Sequence, residues 1–293
     1  MQDAPPMPHA PYTLAVPAER TTGVVFASPH SGRDYPWELL RRSMLDERAI
    51  RSSEDAFVDS LFEAAPALGA PLLAARAPRA YVDLNRGADE LDPGVVEGVR
   101  HVVHNPRISS GLGVIPRVVA NGRAIYRGKI SLAEARGRLA EVWVPYHATL
   151  QRLLTEARRD AGLAILVDCH SMPHEAIDSI TCGGRTPDVV LGDRFGAAAA
   201  PEIVERIEAA FVAAGLRVAR NAPFAGAYIT QHYGRPSRGQ HAVQIEIDRA
   251  LYMDEREIRP HSGFAELRAT LTAVMSEIVA LARPAEPLPM AAE

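Results

Sequence analysis

Cysteine and lysine are almost absent from this chain of 293 residues. Cys169 and Cys182 are the only cysteines. Two thiols are too few for a disulfide framework, and free thiols in a reducing cytoplasm are the plain reading. Lysine is represented by Lys129, so arginine supplies almost all of the 32 positive charges, set against 36 acids for a formal net charge of −4. No basic run is long enough to make a nucleic-acid surface. No apolar run approaches the roughly 20 residues that a membrane-spanning helix needs. The first residues, MQDAPPMPHAPYTLAVPAER, lack the basic start and apolar run of a signal peptide. H-E-x-x-H, C-x-x-C, a P-loop, G-x-G-x-x-G and a G-x-S-x-G elbow are all missing. There is no internal repeat. A cytoplasmic protein that handles a small molecule is the class left standing, and its oligomeric state is not readable.

What is present is a 47% apolar, 23% charged composition that supports a sizeable core. Short apolar runs alternate with helical patterns. Gly23 to Ala27, the region after Pro71, Ala80 to Leu84, residues 163–168, 216–219, 227–230 and 241–248 read as strands. Helical spacing appears at 54–68, 201–215 and from 263. Ser131, with Glu134 three residues later, opens a long helix to about Arg159 as a capping box, and Pro145 should kink or divide it. Asn121-Gly122 between apolar flanks predicts a hairpin. The pattern predicts an α/β fold: one domain over 21–284 with a central mixed, mostly parallel sheet flanked by helices. A Pro-rich segment, 1–20, precedes it and a frayed tail, 285–293, follows. Residues 87–130 look like an insertion over one face.

Ligands of open α/β sheets gather beyond the carboxyl ends of the strands. Four segments end in polar residues: ASPHSG with His30, VDLNR with Asp83, Asn85 and Arg86, LVDCHSM with Asp168 and His170, and QIEIDR with Glu246 and Asp248. A catalytic zinc takes three protein ligands and keeps one open position. His30 and His170 could supply two nitrogens. The oxygen ligand would come from Glu54 or Asp55, and the residues alone leave that choice open, because acids favour helix starts anyway. Asp168, two before His170, is a candidate acceptor for a ligand imidazole. Glu246 is placed to move a water proton, or else to pair with an arginine. Asn85 and Arg86 could clamp a carboxylate. Arg33 and Arg117 are further candidates, against the plainer reading of surface arginines paired with acids. His232, in ITQHYG, suits a substrate rim. Cys169 alternates away from His170 along the strand, so a Cys-His nucleophile pair is disfavoured.

PHSGRDYP, AYVDLNRG, GLGVIPR, LVDCHSM, FAGAYITQHYG and QIEIDRALYMDE, in that order, closely resemble the N-formylglutamate amidohydrolase family. The likeness runs from about residue 23 to 256. It implies a zinc carboxypeptidase-like α/β fold and hydrolysis of N-formyl-L-glutamate to formate and L-glutamate, late in histidine breakdown. By the same resemblance His30 and His170 match metal histidines, and Asp55 matches the acidic ligand better than Glu54. Glu246 matches the general acid/base, and Asn85 with Arg86 the substrate-carboxylate pair. Arg117 is then the candidate for a second carboxylate, and one divalent ion, zinc by analogy, is the implied cofactor. Two positions depart from the pattern. Arg33 stands where the wider carboxypeptidase-like group has a metal-binding glutamate. Ala56 and Phe57 stand where formylglutamate enzymes carry tryptophan and histidine. Those departures keep other N-acyl or N-formimino amino acids, or carboxypeptidase action, as alternatives. A non-catalytic small-molecule binding protein is the rival from another class.

Overall fold

The structure is a computed structural model that describes residues 10–99, 105–180 and 186–284. Cys182, residues 1–9 of the Pro-rich start and the expected tail at 285–293 lie outside the described residues. Among the described residues the main sheet has seven strands: β1 (Tyr12–Ala15), β2 (Val24–Ser28), β3 (Leu72–Ala75), β4 (Ala164–Met172), β5 (Val189–Gly192), β6 (Val218–Arg220) and β7 (Gln240–Asp248). Their order is β1-β3-β2-β4-β7-β5-β6. β1 on β3 and β5 on β7 are antiparallel, and the other four pairs are parallel. This is the mixed, mostly parallel sheet that the alternation of elements predicts.

Helices cover both faces: α1 (Trp37–Arg42), α2 (Glu47–Arg51), α3 (Val58–Leu61), α4 (Pro106–Ser109), α5 (Leu132–Arg138), α6 (Val144–Ala161), α7 (Pro201–Ala213), α8 (Tyr228–Tyr233) and α9 (Gly263–Ala280). None among the described residues is long and apolar enough to cross a membrane. The period of two along a strand decides which core each residue joins. On β4, Ile165, Val167 and Cys169 pack against α3, α7 and α9, in a core with Phe211, Leu271 and Met275. Ala164 and Leu166 face the other way, toward Leu150, Leu154 and Tyr146 of α6 and Ile229 of α8.

Several local expectations differ from what forms. The strand expected at 163–168 runs on to Met172, because its ladder with β7 continues to the Met172–Asp248 pair. Polar side chains do not end a strand whose backbone partners persist. Ala80 to Leu84 is no strand: the N–H groups of Tyr81 and Val82 turn back onto the Pro78 carbonyl. Residues 227–230 enter α8 instead of a strand, after Gly226 takes φ +101°. The helix expected over 54–68 is broken, since Phe57 adopts a left-handed φ of +65° and α3 starts only behind it. Asn121-Gly122 does reverse the chain, but only a single antiparallel bridge, Val118 to Ala124, closes it.

Ser131 caps α5 by accepting from the Glu134 N–H, as the capping box requires. The Glu134 carboxylate does not reciprocate. It binds Arg42 and Arg138 at 2.6 Å each. Where Pro145 predicts a kink or a division, a π-helical turn, Leu139–Trp143, stands immediately before it. The wider turn pairs Val144 N–H with Leu139 C=O and runs directly into α6 without the α-type bond that Pro145 cannot donate.

Candidate active site

Beyond Leu166 and Ala242, the inner faces of β4 and β7 change from apolar to polar. Asp168 and His170 on β4 lie beside Gln244 and Glu246 on β7, paired Asp168 to Gln244 and His170 to Glu246. All four are buried. A buried Val, Leu or Ile contributes about 1.5–3 kcal/mol relative to exposure. Four adjacent positions forgo that gain, so the polar patch has a purpose other than stability.

His30 comes from the loop after β2 and Asp55 from the turn after α2. The Asp55 N–H donates to the His30 carbonyl at 3.0 Å, which ties the two loops together. Nδ1 of His170 lies 2.8 Å from Asp55 Oδ2, and Nδ1 of His30 lies 3.4 Å from the same oxygen. The donor atoms of His30, Asp55 and His170 all lie within 4.8 Å of one another. Asp55 Oδ1 is held away by Arg249 Nη2 at 3.0 Å. Burial alone would raise the Asp55 carboxyl, but the hydrogen bond to His170 and the neighbouring His30 hold it well below the usual range. Phe57, in its strained left-handed conformation, lies two residues on, where backbone strain commonly marks a functional turn.

The outer nitrogens of the two imidazoles meet carboxylates. His30 Nε2–H donates to Asp83 Oδ1 at 2.7 Å. His170 Nε2 lies 3.1 Å from Asp168 Oδ2 and 3.2 Å from the Asn85 amide. Asp83 therefore serves His30 through a hydrogen bond, while Asp168, whose two oxygens make no hydrogen bond among the described residues, faces His170 as a neighbouring charge. Burial would raise the Asp83 carboxyl, while Arg79, His30 and Arg86 bring it well below its usual value. His30 Nδ1 is buried with no hydrogen-bond partner. An orphaned imidazole nitrogen aimed at a carboxylate oxygen, beside a second imidazole, is what a two-nitrogen, one-oxygen metal site offers.

Glu246 lines the same cavity. Gln244 Nε2 donates to its Oε1 at 2.8 Å. Burial pushes its carboxyl up to about 7, with His170 opposing and Asp55 adding to the rise. The cavity, of ≈ 520 Å³, is also lined by Arg79, Arg86, Arg107 and Arg249.

The remaining sequence candidates fall elsewhere. Glu54 is spent on Tyr35 and Arg51, so it does not join the cluster. Arg33 pairs with Asp59, and Arg117 with Asp92 at 2.8 Å; neither lines the cavity. His232 stacks on Tyr228 and lines a neighbouring cavity. Asn85 lines the site, but its amide is committed: Oδ1 accepts from Ile229 N–H at 2.8 Å and Nδ2 faces His170. Asp248 turns to His174 at 2.7 Å. Sequence reasoning missed the roles of Asp83, Arg79, Arg249 and Arg107. Asp83 and Arg249 stand inside the polar strand-end segments, whereas nothing in the pattern marks Arg79 or Arg107.

A model of the N-formylglutamate amidohydrolase family matches residues 22–253. The chain is 34% identical over 264 residues to an N-formylglutamate deformylase of Pseudomonas aeruginosa, covering 87% of this chain and 91% of that one. It is 32% identical over 241 residues to the deformylase of Pseudomonas putida, covering 80% and 83%. The crystal structure of an N-formylglutamate amidohydrolase from Ralstonia eutropha superposes with a TM-score of 0.87 at 35% identity, covering 94% of this chain and 99% of that one.

Proposed function

Because this chain belongs to the N-formylglutamate amidohydrolase family, we propose that it hydrolyses N-formyl-L-glutamate to formate and L-glutamate in the cavity at the carboxyl ends of β4 and β7. The observation that carries this reading is the meeting of His30 Nδ1, His170 Nδ1 and Asp55 Oδ2 beside Glu246. His30, Asp55 and His170 would hold one divalent ion, zinc by its taste for such donors. When bound, that ion polarises the formyl carbonyl and acidifies a water.

The chain's own residues do the rest. Asp83 orients the His30 imidazole through its Nε2, and Asp168 sets a carboxylate beside the Nε2 of His170. Arg249 fixes Asp55 through one oxygen and leaves the other facing the histidines. Glu246 takes the proton of the attacking water and delivers it to the amide nitrogen as the C–N bond breaks. A carboxyl poised near neutrality suits both transfers. Its Oε1 is steadied by Gln244, which leaves Oε2 for the water. Arg86 binds a substrate carboxylate, and the Asn85 amide, whose Oδ1 accepts from Ile229 N–H, keeps the start of α8 in place. A seven-stranded mixed sheet with its acids and imidazoles at the strand ends supports kinship with the zinc carboxypeptidase-like fold.

Replacing Glu246 tests the reading. Glu246→Gln should keep about one metal per chain and lose about 10²- to 10⁴-fold in turnover. Normal turnover by that variant would remove Glu246 from the mechanism. Formate release from N-formyl, N-acetyl and N-formimino amino acids, measured side by side, separates formylglutamate hydrolysis from its alternatives.

A further inference from the structure

Among the described residues, four arginines line the active-site cavity, and their commitments differ. Arg79 pairs with Asp83 at 3.0 Å, and Arg249 with Asp55 at 3.0 Å. Both charges are already answered by acids of the site. Arg86 donates to two neutral backbone carbonyls, Leu112 at 2.9 Å and Asn85 at 2.7 Å. Arg107 goes further. Among the described residues its guanidinium makes neither a hydrogen bond nor an ion pair, and only its backbone is engaged: the N–H by the Asn105 side chain that caps α4, the carbonyl by Leu112 N–H at 2.8 Å. The acid close by, Glu90, spends one oxygen on Gly87 N–H at 2.8 Å and the other on the Asn105 amide at 3.1 Å. Arg107 is half-buried, lines both the active-site cavity and the adjoining one, and so stands at the rim between them. It is close enough to Arg86 to help depress that guanidinium, after burial and together with Arg79.

Among the described residues the cavity therefore holds two guanidiniums outside any ion pair: Arg86, deep and next to Asn85, which feels Asp83 although that acid is paired with Arg79, and Arg107, at the rim. Two guanidiniums free of ion pairs in one cavity match the two carboxylates of an acidic amino acid. We infer that Arg107 is the specificity-determining residue that binds the side-chain carboxylate of the substrate, while Arg86 takes the other carboxylate nearer the reacting amide. This rests on the formylglutamate reading and names the residue behind its choice of substrate. Arg117 cannot take that part while Asp92 holds it.

Arg107→Met and Arg107→Lys test the inference on the metal-loaded enzyme. Kinetics with N-formyl-L-glutamate and with its neutral isostere N-formyl-L-glutamine are compared. Binding of the bare amino acids L-glutamate and L-glutamine is measured by calorimetry. Losing one charge-assisted contact should weaken kcat/KM for N-formyl-L-glutamate by about 10- to 100-fold, mostly through KM. N-formyl-L-glutamine should be unaffected, and Arg107→Lys should recover part of the loss. An Arg107→Met enzyme that still prefers the glutamate compound as strongly as wild type overturns the assignment. Should wild type fail to turn over N-formyl-L-glutamate at all, the formylglutamate reading fails and calorimetry still decides. Loss of L-glutamate's advantage over L-glutamine in Arg107→Met supports the inference, and an unchanged advantage overturns it.

Discussion

Replacing Asp83 by Asn separates orientation of the metal site from simple stability. Asp83 carries three contacts: His30 Nε2 at 2.7 Å, Asn85 N–H at 2.8 Å and Arg79 Nε at 3.0 Å. The substitution keeps the shape. It can keep one acceptor for His30, but it removes the charge that makes the imidazole a better donor to a metal, and its amide NH₂ confronts the Arg79 donor. Loss of a carboxylate partner behind a ligand histidine typically weakens metal binding about 10- to 100-fold. At about 1.4 kcal/mol per decade that is about 1.4–2.8 kcal/mol. Breaking the ion pair adds a separate cost to folding. A fully buried pair would cost about 3–5 kcal/mol, and less is expected here because Arg79 is only half-buried. Arg79→Gln is the control, since it breaks the pair while leaving the His30–Asp83 bond. Metal affinity is measured by competition with a coloured chelator, and stability by urea unfolding of the metal-free proteins. Both variants should lose stability, but only Asp83→Asn should lose one to two decades of affinity. Equal affinities for wild type and Asp83→Asn, or an equal loss in both variants, would refute the orienting role.

Other outcomes follow from single contacts. Burial presses the His147 imidazole down to about 3, whereas the unfolded value is about 6.5. Between those values the unfolded chain binds one more proton, so this contribution is complete above pH ~6.5 and falls by about 1.4 kcal/mol per unit as pH drops; urea midpoints at pH 7 and 5 should converge in His147→Gln, and an unchanged pH slope counts against the assignment. Gly32→Ala would set a Cβ 2.1 Å from the Ala77 carbonyl oxygen, in the loop that carries His30. Overpacking of that kind costs about 1–3 kcal/mol or more, and a wild-type melting temperature would show that the loop simply moves aside. Stripping the metal with a chelator should lower the melting temperature, because a ligand that binds only the folded state stabilises it by about 2.7 kcal/mol at a hundredfold excess over Kd; a Tm indifferent to chelation would argue against a metal held by His30, Asp55 and His170.

The sequence made the chemistry more legible than the local backbone. His30, His170, Asp55 and Glu246 stand out because a strand or strand-end turn gives no packing reason for an acid or imidazole there. The mixed parallel sheet followed from alternating short runs. Boundaries were harder to read wherever tertiary contacts decide them. The polar half of β4 stays in the sheet because β7 pairs with it, and that cannot be seen within nine residues. Ala80 to Leu84 looks like a strand until Pro78 captures its N–H groups. The arginines were the least legible. Arg33, Arg107 and Arg117 look alike in sequence, and only the fold shows that Asp59 and Asp92 pair with the first and last while Arg107 has no ion pair among the described residues. Asp83 passed for one polar residue among several because its partner lies 53 positions away.

The widened turn at Leu139–Trp143 sets helical phase. In an uninterrupted α-helix, residues five apart point about 140° away from each other. Arg138 and Trp143 are five apart and Trp143 and His147 four, yet all three reach the same short segment: Arg138 toward the Tyr81 carbonyl at 3.5 Å, Trp143 to the Arg86 carbonyl at 2.9 Å and His147 to the Leu84 carbonyl at 2.9 Å. The extra residue in the turn brings two helical stretches into step over one loop. That loop carries Asp83, Asn85 and Arg86, so a single long helix behind the cavity meters the spacing between the carboxylate that steadies His30 and the arginine that meets the substrate. Shortening the turn by one residue would leave α6 in place and rotate Arg138 out from between Tyr81 and Tyr126.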